Sequence, residues 1–404
     1  MPAPARLHVV LACALLLPAC GRTDAPRVDA RIDTLRPGLI QVTSPSPTGW
    51  SDSAGAWHYR VTLRLQPAEQ TPAELLDPNG IAVDGWGRIY VVESKPPVIK
   101  VYDSTGSFIR AIGREGAGPG EFVAAYIAIR GPHLVVHDPA QSRTSLFDTS
   151  GTYVRSWTSS CCYYSDIAID ADTLVTLPAM VTRAIGGADR GDAWLRYRID
   201  GTLVDTLFVP RRDADSPRWT FTSGSGASSR AVMSTPVPLS PRVFQALHPD
   251  GGFIRGWSGE YRLLRSPKGE DSTAIFVRSW TPERIPDSIR SARLDSTVAN
   301  AKRSVGEAQA LKTARLGEIP VTAPAFQTLS VDVDGNIFAR QLLGSDSTRT
   351  RYDVFSPAGA WLGTITVPVA VPEWGPRFFG RRSIYTVTED ADGRPMIVRL
   401  TRTP

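Results

Sequence analysis

One pattern limits the fold more than any other feature of the chain. The segment GIAVDGWGRIYVVES (residues 80–94), followed by PVIKVYDSTGSFIRAIG (97–113), recurs in altered form along the sequence. AYIAIRGPHLVVHD and SRTSLFDTSGTYVRSW form a second copy. A third begins at SDIAIDADTLVTLP, a fourth at VFQALHPDGGFIRGWS and a fifth at FQTLSVDVDGNIFARQ; RFFGRRSIYTVTED opens the last. Each copy holds short alternating apolar runs. DGWG, PDGG and VDGN join the first two runs, and DSTG, DTSG and SPAG join the last two. Asp and Gly at these places supply hairpin geometry. Four strands recurring every ~42–49 residues, with the order of turn types preserved, predict propeller blades.

The sixth unit ends after three strands. WHYRVTLRLQ (57–66), upstream of the first unit, aligns with the fourth strands of other units. Pairing it with the C-terminal strand would close the ring and remove an exposed sheet edge. The expectation is an all-β protein: a six-bladed β-propeller over residues 57–404, closed by an N-terminal strand. The run GIAVDGWGRIYVVES…IKVYDSTGSFIRAIGREGAGPGEF resembles an NHL-type repeat, and the whole chain resembles six-bladed NHL/TolB-like propeller lipoproteins of bacteria. The resemblance is strong in the first unit and blurred by insertions in the third and fourth. It conveys fold and location more than activity.

The N-terminus carries an address. Arg6 precedes an apolar run over 9–17, which is too short to span a bilayer and right for a signal peptide. Leu17-Pro18-Ala19-Cys20 resembles the bacterial lipobox; an ordinary signal peptide with a coincidental Cys is the alternative. The expected organisation is a signal peptide over 1–19, then lipidated Cys20 and a tether over 20–56 with one short strand at 38–43. Gly21 after the Cys implies, by the same resemblance, the outer membrane, with the propeller facing the periplasm or the surface. Cys161 and Cys162 then remain, and a vicinal disulfide and two reduced thiols both stay open.

Two segments break the period. Residues 210–242 are rich in Ser and Pro and contain Trp219 and Phe221. Residues 281–319 show helical spacing at Ile289, Ala292, Val298, Ala301, Val305, Ala308 and Leu311, with Pro286 to open a helix and Gly317 and Pro320 to close it. Both fall in links between a fourth strand and the next blade. They are expected side by side over one face of the disc, the helix between blades four and five.

Chemistry is less legible. Counting from each turn to the end of the second strand selects Glu93, His137, Leu177, Trp257, Gln341 and Thr388 as equivalents, with Arg340 beside Gln341. These strand ends open on the insertion-bearing face. Apart from Leu177 they suggest a polar binding site at the mouth of the central channel. Asp84 and Asp332 sit in turns, and DGWG and DVDGN lack the remaining ligands of a calcium loop. His133 and His137 stand about 13 Å apart on a strand, too far for one metal. No metal ligand set and no cofactor motif emerge, and a net charge of +5 from scattered Arg residues gives no nucleic-acid stripe. The favoured reading is a lipid-anchored envelope module that binds a polar small ligand or an envelope protein under the inserted segments, rather than an enzyme. The alternative is a metal-dependent lactonase or lyase: Asn79 and Glu93 partly imitate gluconolactonase-like propellers, and His137 imitates streptogramin-lyase-like ones.

Overall fold

A computed structural model describes residues 30–45, 56–160, 166–179, 192–209, 216–223, 231–267, 271–344 and 348–403. Cys20, Cys161, Cys162 and the segment expected as a signal peptide lie outside them. Six antiparallel blades follow the repeat. Blade one runs Pro78–Val83, Ile89–Ser94, Pro97–Tyr102 and Phe108–Ile112. Blade six takes Arg377–Phe379, Ser383–Glu389 and Pro395–Thr403 from the C-terminus and His58–Leu65 from the N-terminus. The closing strand pairs from Thr403↔His58 to Ile397↔Leu65.

The repeat's chemistry explains the blades. Alternate apolar residues leave each sheet in opposite directions, so every blade packs on both neighbours. Tyr90 and Val92 of blade one meet Leu134 and Val136 of blade two, whereas Ile89 and Val91 meet Tyr385 and Ile397 of blade six. The turn aspartates are occupied by turn backbone. Asp84 Oδ1 accepts from the amides of Trp86 (3.0 Å) and Arg88 (2.9 Å), and Asp332 Oδ1 accepts from Asp334 (2.9 Å) and Asn336 (2.8 Å). In blade five, Gly359 turns at φ 85°, and a Cβ there would lie 1.9 Å from the Phe276 ring of blade four. The SPAG turn is thus also a packing surface.

Within the expected tether, the short strand expected at 38–43 is present as Leu39–Ser44, and an unexpected second strand precedes it. Arg31–Arg36 and Leu39–Ser44 form a hairpin whose second strand adds in parallel to Ala274–Arg278, the outer strand of blade four. That sheet therefore has six strands. The segment alternates too weakly to look like a strand pair: Ile32 and Leu35 are exposed, and only Val42 joins the core. Its pairing is supplied by a partner edge 230 residues away in sequence, which local pattern cannot reveal.

The two insertions fold together. The hairpin Arg218–Ser223/Ala231–Pro236 packs Trp219 and Phe221 against Val298, Ala301 and Ala310 of two helices, α1 (Asp287–Val305) and α2 (Glu307–Thr313). Helix α1 opens after Pro286 with Asp287 in its first turn and Lys302 and Arg303 in its last, matching the macrodipole. Gly306, at φ 81°, breaks the helix and resets its phase. Leu311, expected on the apolar face, is therefore exposed, while Ala310 and Ala314 are buried.

Candidate functional site

The first strands of all six blades line an axial cavity of about 330 Å³. Its polar lining includes Arg130, Asp166, Gln245, His248, Asp332 and Arg377. Burial pushes the Asp332 carboxyl up to about 6 and, with help from the Arg265 charge, pushes His248 down to about 4. None of the strand-end residues selected from sequence lines this cavity.

Glu93 is 1% exposed and serves the fold locally. Its Oε2 accepts from the amides of Leu76 (3.1 Å) and Asp77 (2.6 Å), the lead-in to its own blade. Burial raises its pKa, opposed by the Asp77 amide and by Lys100, whose Nζ is 3.8 Å from Oε1. The residue with the same task in blade two is Asp138, whose Oδ2 accepts from the Val123 amide at 2.8 Å. The two-residue turn at Gly131-Pro132 shortens that hairpin relative to DGWG, so a count from the turn lands one residue early. One residue along a strand reverses the side chain. His137 accordingly points between blades with Val135 rather than beside Glu93. In blade three the offset is two residues and leaves the side chain on the same face: registered from Ile169↔Val175, the counterpart of Glu93 is Ala179, not Leu177.

His137 is fully buried; its Nδ1 lies 3.0 Å from Thr144 Oγ1 and 3.3 Å from Ser159 Oγ, and its Nε2 has no hydrogen-bond partner among the described residues. Burial lowers its pKa to about 4. An unfolded chain would protonate this ring near 6.5. The folded state thus keeps its full stability above that pH and loses up to about 3 kcal/mol as pH falls toward 4. Thermal melts from pH 7.5 to 4.5 should show this loss, and His137→Gln should flatten it. An unchanged slope in the variant would remove His137 as the cause.

Gln341 and Arg340 end the second strand of blade five, and Trp257 ends that of blade four, where it lines a small cavity with Arg255, Glu260 and Arg262. Gln341 Nε2 donates to the Ala325 carbonyl at 2.7 Å, holding the lead-in of blade five as Glu93 holds that of blade one. Arg340 Nη1 donates to the Val371 carbonyl at 2.7 Å. Burial lowers the Arg340 pKa; Tyr352 and Glu373 oppose the shift, and Arg377 and Arg293 deepen it. Beside Trp257, Ser258 exchanges hydrogen bonds with the Arg242 backbone. Thr388 stands apart on blade six with its hydroxyl buried and unpartnered among the described residues.

Arg242, whose backbone amide Ser258 holds, lines a second cavity of about 160 Å³ on the insertion-bearing face. The hairpin contributes residues 235–236, α1 contributes Arg293, Ser296 and Thr297, and the lead-ins of blades four, five and six contribute Arg242, Phe326 and Glu373-Trp374. Arg242 Nη2 and Arg293 Nη2 approach opposite oxygens of Glu373 at 3.4 and 3.5 Å. The Arg242 guanidinium also lies 5.2 Å from the Phe244 ring and 5.6 Å from that of Trp374. Sequence reasoning missed these residues because it followed the strands. The available signal was VPEWGP, an aromatic-acid pair between prolines in a link that need carry neither.

Comparison with known proteins agrees with the architecture. A family described as 6-bladed beta-propeller, DUF5128, matches residues 74–167, which span blades one and two. Solved structures similar to the chain include a Bacteroides fragilis protein titled "Putative exported protein", with 11% identity, 91% of this chain and 100% of that one covered, and a TM-score of 0.48. A member of the DUF4221 family from Bacteroides vulgatus gives 10%, 86%, 98% and 0.48. The virginiamycin B lyase of Staphylococcus aureus gives 11%, 86%, 99% and 0.39. No curated protein matches the sequence. The chain is a six-bladed β-propeller.

Proposed function

We propose that this propeller is an exported, lipid-anchored binding module of the bacterial cell envelope, held at the outer membrane through Cys20, whose ligand docks on the insertion-bearing face. The observation that carries the binding reading is the second cavity. Two insertions that the blade plan does not require share one core and, together with three blade lead-ins, wall a polar pocket floored by aromatic rings. A concave pocket that brings converging polar groups and aromatic rings together suits a small polar ligand or a peptide segment. The lipid anchor rests on the run ending in Leu17-Pro18-Ala19-Cys20. Among the described residues no helix is long and apolar enough to cross a membrane.

The test is a thermal-shift screen of envelope metabolites and short peptides, with hits mapped by amide hydrogen exchange. Protection at residues 235–244, 293–297 and 373–374 is the expected result. Protection confined to the axial cavity would move the site to the channel. Metal-dependent turnover of a lactone or cyclic depsipeptide would establish an enzyme instead. For the anchor, labelled fatty acid should enter the wild-type protein and not Cys20→Ser.

A further inference from the structure

We infer that the pocket between α1 and the lead-ins of blades four to six is a carboxylate site, taking an organic acid whose flat apolar part stacks on Trp374. This deepens the binding reading above and rests on it. Glu373 is the only carboxylate among the described residues lining the pocket, while Arg242 and Arg293 both turn toward it. Behind it, Arg377 Nη1 donates to the Glu373 and Gly375 carbonyls at 3.2 and 3.4 Å, and Arg340 lies in the same field. Among the described residues, two guanidinium groups thus face one acid inside the pocket, an arrangement that favours a second anion over a cation.

The existing ion pairs are loose. Charge-assisted N–H···O contacts normally close to about 2.7–2.9 Å; those to Glu373 are 3.4 and 3.5 Å. Arg293 is 44% exposed and can turn to an incoming carboxylate while Glu373 remains a displaceable internal counter-ion; Arg242 adds its charge from its place against the Phe244 and Trp374 rings. The guanidinium fork matches a carboxylate in two-point geometry better than an ammonium would. Trp374 is 67% exposed and presents its indole at the edge of the pocket. It stands over Arg242, so a ring laid on the indole would bring its acid group to the two arginines. Ser296, Thr297 and Gln327 add neutral hydrogen-bonding groups around the rim.

Isothermal titration with phenylacetate, benzamide, acetate and inorganic phosphate tests the inference on the full-length protein, with melting curves for every variant. Phenylacetate should bind, benzamide should not, and affinity should fall with added salt. Arg293→Gln should weaken phenylacetate about tenfold or more, the loss of one charged hydrogen bond. Glu373→Gln, which removes the competing carboxylate, should tighten it by a similar factor. Trp374→Ala should weaken phenylacetate and leave acetate unchanged. Phosphate binding with equal response to these variants would replace the organic acid by a general oxyanion and overturn the stacking part. Benzamide binding as well as the acid, or no anion binding to wild type and Glu373→Gln at millimolar concentration, overturns the inference. If other ligands still protect this face in hydrogen exchange, the binding face survives and only the carboxylate assignment falls.

Discussion

Replacing residues 57–66 with a Gly/Ser linker of equal length is expected to abolish the cooperative fold. The replaced strand is the outer strand of blade six, and its loss leaves the nine-residue strand Pro395–Thr403 as an open edge. It also strips Leu65 from the seam with blade one, where it is 3% exposed among Ile81, Tyr102 and Ile397, and removes Trp57, which covers Phe338 and lies 4.1 Å from Arg402. Buried side chains at about 1.5–3 kcal/mol each, with net hydrogen bonds at about 0.5–1.5 kcal/mol, place the loss at about 5–10 kcal/mol. A domain's whole stability is about 5–15 kcal/mol. Near-ultraviolet circular dichroism and size exclusion should report loss of native packing and self-association. A synthetic peptide covering 56–66, added in excess, should restore part of the signal by filling the edge. A linker variant that melts cooperatively at the wild-type midpoint would show that the ring does not depend on this closure.

That closing strand was legible in sequence because it repeats a pattern: an alternating run with the spacing of other fourth strands, and a last unit lacking one. The blades were legible for the same reason. Features with no repeat behind them were not. Of the Arg31–Arg36/Leu39–Ser44 hairpin only the second strand was legible; its partner strand and its docking are specified by the outer edge of blade four. His137 was misplaced because a turn of two residues was counted as though it matched DGWG. Asp138, one position further, has the bonding that Glu93 has. The pocket residues Arg242, Arg293, Glu373 and Trp374 come from one insertion and two blade lead-ins, and no periodicity ties Arg293 to Glu373 eighty residues later. Their meeting is a product of the insertions' shared core, in which Trp219 and Phe221 seat α1 over the disc. The opening Asp84 was legible as a turn, since a carboxylate that caps two backbone amides in DGWG needs no metal to explain it.

The other large effect is expected at Asp353, where a charge is held between blades four and five. Asp353 is 2% exposed, and its Oδ1 lies 2.9 Å from Nη1 of Arg278, a close charge contact more than a well-aligned hydrogen bond. Oδ1 also accepts from Thr364 Oγ1 at 2.6 Å, and Oδ2 from the Tyr261 hydroxyl at 2.8 Å. The Arg278 guanidinium is sandwiched 4.8 Å from the Tyr261 ring and 4.1 Å from that of Trp361. Taking away only the acid leaves a mostly buried cation facing two rings and a Tyr hydroxyl without its acceptor. Asp353→Ala should therefore cost about 3–5 kcal/mol, more than the pair itself contributes. Substituting both partners with apolar residues of similar volume, Arg278→Met with Asp353→Leu, should recover most of that loss, because the desolvation cost of both charges disappears together. Urea unfolding of wild type, both single variants and the double variant gives the comparison at constant m-value. The network reaches the binding face as well: Gln341 Nε2 bridges the Tyr261 hydroxyl at 3.3 Å and the Ala325 carbonyl at 2.7 Å, next to Phe326 in the pocket wall. Asp353→Ala should thus raise hydrogen exchange at 325–327 under conditions where the variant is still folded. A loss below about 1 kcal/mol, or a double variant as unstable as the single, would show that the cation is solvated in place and that the sandwich of rings alone holds it.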